Sequence, residues 1–227
     1  MSKTRGSNAF FQLLPNTNLI GNKVFEGDDR EAKCDAEFRG MRLIVERVPR
    51  RVLPPMETKR RYPMKIAMAA YGTTLEDAIA GHTLSASDLQ YTVFYIADLL
   101  MDMARHQILH MDIHAGNILL KFYNGKLFDV VIIDTTFTHD FSNGTLPPHC
   151  RSCPFDPCYD LAFFSYSLLG ICKIHGVPFP VMPLSQSELS AYHVYITEPH
   201  EWRLAVGCYA YYPKHLTAFQ KYHHNKV

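Results

Sequence analysis

The feature that most constrains the fold is a set of three polar side chains in and just after one short loop. Asp112 and Asn117 stand five positions apart in residues 110–120, HMDIHAGNILL, and Asp134 follows the apolar run 130–133. In phosphoryl transfer, one carboxylate orients an attacking hydroxyl and accepts its proton, while an amide oxygen and a second carboxylate hold magnesium ions. The pattern therefore predicts a phosphoryl-transfer site, for which the fold must bring the loop and the end of the following strand together.

The first 70 residues show the patterns of strands with one helix among them. Turn-forming residues separate two apolar runs, and the apolar positions of the next stretch recur at helical spacing until Pro49. The predicted elements are strands over residues 8–14 and 19–25, a helix over 28–48, and strands over 52–56 and 64–70 linked by a basic turn around Lys59. The basic residues from Arg47 to Arg61 are interpreted as a solvated loop or hairpin edge.

The remaining residues, 71–227, are predicted to be mainly helical around the loop motif. Residues 87–90, SDLQ, have the form of a capping box, and apolar positions from Leu89 to Met103 share one face of the helix that follows. Asn124-Gly125 is a strong signal for a two-residue hairpin turn. The predicted elements are a short helix over 75–79, the long helix from 87 to about 106, strands over 118–122 and 127–133, a loop over 135–157, and a helix over 160–172.

This order of elements around H-x-D-x-x-x-x-N, with an aspartate after the second hairpin strand, resembles the protein-kinase-like superfamily. The match to the large lobe of that family runs from residue 68 to about residue 170. The resemblance implies an α+β, two-lobed protein-kinase-like fold. It has a reduced β-rich small lobe with one helix over residues 1–70 and a mainly helical large lobe over 71–227 that carries the catalytic loop.

The resemblance also implies roles for residues of the large lobe. Asp112 would be the catalytic base, and Asn117 and Asp134 would bind Mg²⁺ together with ATP. Asp160 would begin a buried helix and brace the catalytic loop through hydrogen bonds. His110 would pack this loop and take no part in the chemistry.

In the small lobe, the resemblance implies that Lys23 grips the α- and β-phosphates of ATP. Glu37 on the following helix would be its ion-pair partner, and Glu31 is the competing choice. Only Gly6 and Gly21 precede Lys23, so the glycine-rich phosphate loop of the family is absent. A protein partner that completes the small lobe is therefore among the expected ligands, beside ATP and a protein substrate.

Other departures from the family narrow the subtype. Thr135-Thr136 follows Asp134 in place of the usual Phe-Gly, and His114 stands where most protein kinases carry a lysine. Asp160 follows Asp134 by only 26 positions, so the usual activation segment is missing or rebuilt. In these features and in its compactness the chain resembles the divergent protein kinases of large DNA viruses, poxvirus-like ones in particular.

The function implied is an ATP-dependent phosphotransferase, with a Ser/Thr protein kinase of viral type as the leading interpretation. Two alternatives remain open. His114 and the short segment after Asp134 favour a small-molecule kinase of the aminoglycoside-phosphotransferase style. The missing glycine loop and Thr135-Thr136 favour a pseudokinase that acts as a protein-interaction module, whereas the complete set of Asp112, Asn117 and Asp134 argues against it.

Composition excludes some other classes of protein. Twenty-three Lys+Arg against 22 Asp+Glu give a formal charge of +1, so the net charge makes no case for nucleic acid. No stretch reaches the ~18 to 20 continuous apolar residues of a membrane span, and the N-terminal residues lack the apolar core of a secretory signal. The expectation is an intracellular protein, in the host cytoplasm or the virion if the chain is viral.

One further pattern involves cysteine. Cys150, Cys153 and Cys158, with a nearby histidine as fourth ligand, have a spacing compatible with tetrahedral zinc. Only one C-x-x-C pair is present, however, which makes half of such a site. The favoured interpretation is that Phe155 and Pro157 hold this loop against the large lobe without a metal.

Overall fold

A computed structural model of the chain describes residues 4–5, 9–13, 20–49, 56–60, 65–69, 72–145 and 155–182. Within these residues the protein is a mixed α+β structure of small antiparallel sheets and four α-helices. No helix in these ranges is both long enough and apolar enough to cross a membrane.

Five strands of the first part pair into one antiparallel sheet. They are β1 (Thr4–Arg5), β2 (Ala9–Leu13), β3 (Ile20–Phe25), β4 (Met56–Arg60) and β5 (Lys65–Ala69). Their spatial order is β1-β2-β3-β5-β4, which puts β3 in the middle of the sheet. The strands predicted over residues 8–14, 19–25 and 64–70 are therefore confirmed.

The turn predicted around Lys59 is wrong. Lys59 lies inside β4 and is paired with Ile66 of β5. In the strand order of the described residues, β4 lies at an edge of the sheet. A basic run is compatible with a turn and with an edge strand, and only the pairing distinguishes the two. Of the strand predicted over 52–56, only Met56 lies within the described residues.

Helix α1 (Arg30–Arg47) agrees with the helix predicted over residues 28–48. Its buried face includes the apolar side chains of Cys34, Met41 and Ile44, which belong to the main hydrophobic cluster. The same face buries the carboxylate of Glu37. A charged group on the buried face of a helix requires a partner, so Glu37 marks the place where α1 meets other polar groups.

Three further helices build the second part of the chain: α2 (Leu75–Ala80), α3 (Ala86–Arg105) and α4 (Tyr159–His175). The apolar stripe predicted for the long helix is confirmed, because Leu89, Val93, Ile96, Leu100 and Met103 are all buried on α3. The hydrophobic cluster around them also contains residues of β3, β5 and α1. The two parts of the chain therefore share one continuous core.

Short strands surround the motif loop. They are β6 (Thr73–Thr74), β7 (Ile108–Leu109), β8 (Ile118–Tyr123), β9 (Lys126–Ile132) and β10 (His139–Asp140). The predicted hairpin is confirmed: β8 pairs with β9, and Asn124 and Gly125 both have positive φ, 50° and 74°, as a type I′ turn requires. Strand β7 pairs with β10, which places the entry to the motif loop beside residues that follow Asp134.

The capping box predicted at Ser87 and Gln90 is wrong. Ser85 caps α3, since its Oγ accepts from Asp88 N at 3.0 Å and donates to Asp88 Oδ2 at 2.7 Å. Gln90 instead holds the chain beyond α4: its Nε2 donates to Val181 O and its Oε1 accepts from Val181 N, both at 2.9 Å. Ser85 and Ser87 are each followed three positions later by a polar residue, and only Ser85 is at the N-cap of α3.

Candidate active site

A buried carboxylate holds the start of the motif loop, which comprises residues 110–117. The backbone N–H groups of His110 and Met111 donate to Asp160 Oδ2 and Oδ1 at 2.6 and 2.8 Å. Asp160 is buried in the first turn of α4. Met111 has a φ of 66°, which is strained for a bulky side chain, and the two hydrogen bonds to one carboxylate offset that strain. The bracing role predicted for Asp160 is confirmed.

His110 connects the motif loop to the end of β9. Its ring is fully buried, and Nε2 lies 3.0 Å from the carbonyl oxygen of Ile133. Burial lowers the pKa of His110 to about 4. The imidazole is therefore neutral at pH 7 and donates from Nε2 to this carbonyl, in agreement with the packing role predicted for it.

Asn117 ties the loop to the same strand end. Its Nδ2 donates to the carbonyl oxygen of Asp112 at 2.9 Å, and its own carbonyl oxygen accepts from Ile133 N at 2.9 Å. The NH₂ group of the side chain is thereby engaged, and the amide oxygen is the atom available to a cation. Asp112 itself is half-buried in the loop, three residues before the short 3₁₀ turn Ala115–Asn117 begins.

A lysine between two carboxylates forms the other side of the site. The Nζ atom of Lys23 on β3 lies 3.1 Å from Glu37 Oε1 and 3.3 Å from Asp134 Oδ1. Only 16% of the Lys23 side chain and 1% of the Glu37 side chain are exposed, compared with 40% of Asp134. The ion pair expected between Lys23 and Glu37 is present, whereas Glu31, the competing choice, is exposed in the first turn of α1.

Burial and charge act in opposite directions on these three groups. Burial alone would lower the pKa of Lys23, but the carboxylates of Glu37 and Asp134 outweigh it and raise this pKa. Burial raises the pKa of Glu37 against the opposing effect of Lys23. For Asp134, burial is outweighed by Lys23 and by hydrogen bonds, and the pKa is lowered. Lys23 is thus a fixed cation, and Asp134 is ionised and partly accessible.

The residues after Asp134 form hydrogen bonds with α1, the helix that carries Glu37. Asp134 has left-handed backbone angles, φ 62° and ψ 62°, and a 3₁₀ turn, Thr135–Phe137, follows it. Thr135 Oγ1 donates to the carbonyl oxygen of Glu37 at 2.9 Å, and Thr136 Oγ1 lies 2.7 Å from Glu37 Oε2. Neither contact was predicted from the sequence, where the replacement of the expected Phe-Gly by Thr-Thr was the signal that this turn differs.

The last turn of α1 also forms polar contacts with distant residues, through the side chain of Arg47. Arg47 donates from Nη1 to Asp140 Oδ2 at 2.8 Å and from Nη2 to the carbonyl oxygen of His106 at 3.1 Å. The interpretation of Arg47 as part of a solvated basic run is therefore wrong. Its partners are 59 and 93 residues away in sequence, which is why local charge patterning did not identify them.

His114 shapes the motif loop from within. Its Nδ1 accepts a hydrogen bond from Gly116 N at 3.1 Å. Burial lowers the pKa of His114, although the carboxylates of Glu76 and Asp134 oppose this. At pH 7 the side chain is therefore largely uncharged, unlike the lysine that the family resemblance would place here.

The chemistry of the polar groups fits magnesium bound together with a nucleotide. Asn117 offers an amide oxygen and Asp134 an ionised carboxylate, both hard oxygen donors, and Mg²⁺ usually binds one or two such groups together with substrate phosphates and water. In the described part of the chain, no group of three or more His, Cys, Asp or Glu side chains could hold a metal by itself. A magnesium ion here would therefore need the phosphate oxygens of its nucleotide.

Of the three cysteines of the predicted zinc pattern, only one lies within the described residues. Cys150 and Cys153 lie outside the described residues, and Cys158 is buried in the main hydrophobic cluster at the start of α4. Phe155 packs against Phe141, with ring centroids 5.5 Å apart, as expected if aromatic contacts hold this end of the loop. The zinc interpretation stays an untested alternative.

Comparison of the sequence with protein-family models and with curated proteins found no match.

Proposed function

We propose that this protein is an ATP-dependent phosphotransferase with a two-lobed, protein-kinase-like fold, most simply a Ser/Thr protein kinase. The observation that carries the proposal is the contact of Lys23 with both Glu37 and Asp134, at 3.1 and 3.3 Å. Lys23 and Glu37 come from a strand and the helix that follows it, whereas Asp134 follows a strand 97 positions further along the chain. Their convergence beside the motif loop supports a site for the phosphates of a nucleotide.

The residues on the two sides of the candidate site would have different roles in phosphoryl transfer. On one side, Asp112 would orient the acceptor hydroxyl and take its proton as the new O–P bond forms. On the other side, Lys23 would hold the α- and β-phosphates of ATP, and Glu37 would keep the ammonium group in place. Asn117 and Asp134 would hold Mg²⁺, which neutralises the negative charge of the triphosphate when it is bound.

The rigid parts of the site are consistent with this division. Asp160 fixes the loop main chain through two hydrogen bonds, and Asn117 fixes the carbonyl of Asp112 through a third. Groups held in this way lose little freedom when a substrate binds, and positioning supplies a large part of the rate enhancement in phosphoryl transfer.

A second candidate, a small-molecule kinase, is favoured by His114. This residue is largely uncharged at pH 7 and caps the loop turn through Nδ1. The site therefore lacks the fixed positive charge that a lysine at this position would add. Phosphorylation of a small hydroxyl compound, with no transfer to any protein, would decide for this candidate.

The proposal is tested by titrating the protein with ATP, with and without MgCl₂, and then following transfer of the γ-phosphate to a mixed protein substrate. Lys23→Arg keeps the charge but changes its geometry, and we expect turnover to fall ~10-fold or more, because Arg and Lys are not interchangeable at a phosphate anchor. Lys33→Arg is the matched control, since the ion-pair partner of Lys33 is Asp29, near the start of α1.

The outcomes separate the three candidates. Absence of ATP binding under both conditions would overturn the proposal. Binding of Mg·ATP with no transfer to proteins or small hydroxyl compounds would replace it with the pseudokinase interpretation. Equal loss of turnover in Lys23→Arg and Lys33→Arg would remove Lys23 as the phosphate anchor.

A further inference from the structure

Thr136 closes a ring of contacts around the candidate site. Its Oγ1 lies 2.7 Å from Glu37 Oε2 and 3.0 Å from Asp134 Oδ1. Lys23 bridges the same two carboxylates from the opposite side, at 3.1 and 3.3 Å. Two carboxylates with distinct proposed tasks are therefore linked twice, once by an ammonium group and once by a hydroxyl.

A threonine hydroxyl carries one proton and can donate it to only one carboxylate at a time. Glu37 makes the shorter contact and is fully buried, so it has no water with which to replace this hydrogen bond. Asp134 is 40% exposed and can exchange the hydroxyl for water or for a cation. The Thr136 hydroxyl therefore donates its hydrogen bond mainly to Glu37. When Asp134 binds another ligand, the hydroxyl donates to Glu37 alone.

The main chain holds the hydroxyl of Thr136 in this position. Thr135 Oγ1 donates to the carbonyl oxygen of Glu37 at 2.9 Å, one residue before the Thr136 contact. The carbonyl oxygen of Thr135 approaches α1 so closely that a Cβ built on Gly40 would lie 2.1 Å from it. The turn after Asp134 is thus in van der Waals contact with one turn of α1, and the position of Thr136 relative to Glu37 is set by packing on both sides.

From this geometry we propose that Thr136 is a positioning residue for the site. Its hydroxyl anchors the Glu37 carboxylate independently of Lys23, so that Glu37 stays in place when Lys23 engages phosphate and Asp134 engages Mg²⁺. This role rests on the phosphotransferase function proposed above. Thr135-Thr136 would then fix α1 in a way that differs from the usual Phe-Gly at this position. The replacement of Phe-Gly would therefore not indicate an inactive protein.

The test compares Thr136→Val, which removes the hydroxyl at nearly constant shape, with Thr136→Ser, which keeps it. Thr136→Ala repeats the hydroxyl-free case without a branched side chain, in case the valine variant does not fold. Thr138→Val is the matched control, because the Thr138 hydroxyl is buried and has no hydrogen-bond partner among the described residues.

Two readouts are measured on the full chain. The first is the affinity for ADP with and without MgCl₂. Thr136→Val should weaken the affinity for Mg·ADP ~10-fold, because the Glu37 carboxylate loses a hydrogen bond and no longer fixes Lys23 against the phosphates; one hydrogen bond to a charged group is worth an effect of this order. The second is hydrogen exchange of the α1 amides in nucleotide-free protein, which should be ~5-fold faster, as expected for the loss of one hydrogen bond. Thr136→Ser should restore both values, and Thr138→Val should leave both unchanged.

The proposal is overturned if Thr136→Val behaves like Thr138→Val in both readouts. It is also overturned if valine and serine impair the protein equally, since the hydroxyl would then not be the cause. If the wild type binds no Mg·ADP, the phosphotransferase function fails, and the exchange readout still decides the anchoring of α1: faster exchange in Thr136→Val supports it, and unchanged exchange overturns it.

Discussion

Asp112 is the residue whose proposed chemistry can be removed with the smallest change of structure. Replacement by asparagine keeps the size and polarity of the side chain but removes the carboxylate that would accept the hydroxyl proton. We expect Asp112→Asn to lower turnover ~100-fold or more, as loss of a general base typically does, with little change in ATP affinity. Steady-state turnover and ATP titration of the same preparation measure the two effects.

Asp28→Asn is the control for this substitution, because Asp28 is exposed in the turn before α1. Wild-type turnover in Asp112→Asn would show that Asp112 is not the base. Parallel losses of turnover and of ATP affinity would indicate a structural effect of the substitution.

A second aspartate, Asp156, affects stability more than chemistry. It is buried, its Oδ1 accepts from Cys158 N at 2.7 Å, and its Oδ2 has no hydrogen-bond partner among the described residues. Burial raises its pKa to about 7, from an ordinary value of 3.8. Between these two values the folded protein holds a proton that the unfolded chain releases. The contribution of protonated Asp156 to the stability of the folded protein is therefore complete below pH 3.8 and is lost as the pH rises toward 7.

We therefore expect wild type to lose stability relative to Asp156→Asn when the pH is raised from 5 to 7. Each pH unit in this window corresponds to ~1.4 kcal/mol for one fully linked proton, so the difference should be about 2 kcal/mol. Urea unfolding at both pH values measures it. His110 and Asp160 also have shifted pKa values, but they are common to both proteins and cancel. Identical pH dependence in the two proteins would contradict the assignment.

Among the elements, α1 is held most closely where it meets the turn after Asp134. A Cβ on Gly40 would lie 2.1 Å from the carbonyl oxygen of Thr135 and 2.9 Å from its Cβ, so Gly40→Ala must displace the helix or the turn. Although alanine is the better helix former by ~1 kcal/mol, we expect a net loss of about 1–3 kcal/mol from overpacking. Urea unfolding measures this loss, and reduced Mg·ATP affinity should accompany it.

Gly170→Ala provides the matched control for this element. Gly170 also lies inside a helix, α4, but a Cβ there would meet no described atom within 4 Å. This substitution should be neutral or stabilise the protein by up to ~1 kcal/mol. If both variants change stability in the same direction and by the same amount, the contact between α1 and Thr135 does not constrain the helix.

At the scale of the whole molecule, the candidate site joins the first sheet, α1 and the motif loop, so ligand binding should stabilise the fold as a unit. We expect the melting temperature of the wild type to rise with Mg·ATP, because a ligand that binds only the folded state stabilises it by mass action. Asp134→Ala should lose the Mg²⁺-dependent part of this rise, since the substitution removes an ionised, partly exposed carboxylate that is the proposed metal ligand. Thermal unfolding with ATP alone and with Mg·ATP separates the two parts.

The control for this experiment is Asp98→Ala, which changes an exposed aspartate on α3. It should retain the full response to Mg·ATP. If neither the wild type nor Asp134→Ala responds to Mg·ATP, the interaction-module interpretation is preferred. If both respond equally, Asp134 is not a metal ligand.

The features that were predictable depend on residues close together in the chain. Asn124-Gly125 defines a turn by its own backbone preferences, and the apolar spacing of α3 defines its buried face. The roles expected of Asp160 and Glu37 came from the order of elements, which implied a family architecture, and the hydrogen bonds and ion pair observed agree with them. The assignments of Asp112, Asn117 and Asp134 to catalysis and metal binding stay predictions.

Other features were decided only by tertiary structure, because the partner of each group lies far away in sequence. Thr136 contacts Glu37 across 99 residues, and Arg47 contacts Asp140 across 93. Lys59 is in a strand because β5 pairs with it, and Ser85 caps α3 whereas Ser87 lies inside the first turn of that helix. The sequence by itself determined which local elements form and which polar groups are available. Packing decided which of those groups meet, since a hydroxyl, an arginine or a basic run has no preferred partner until the chain is folded around it.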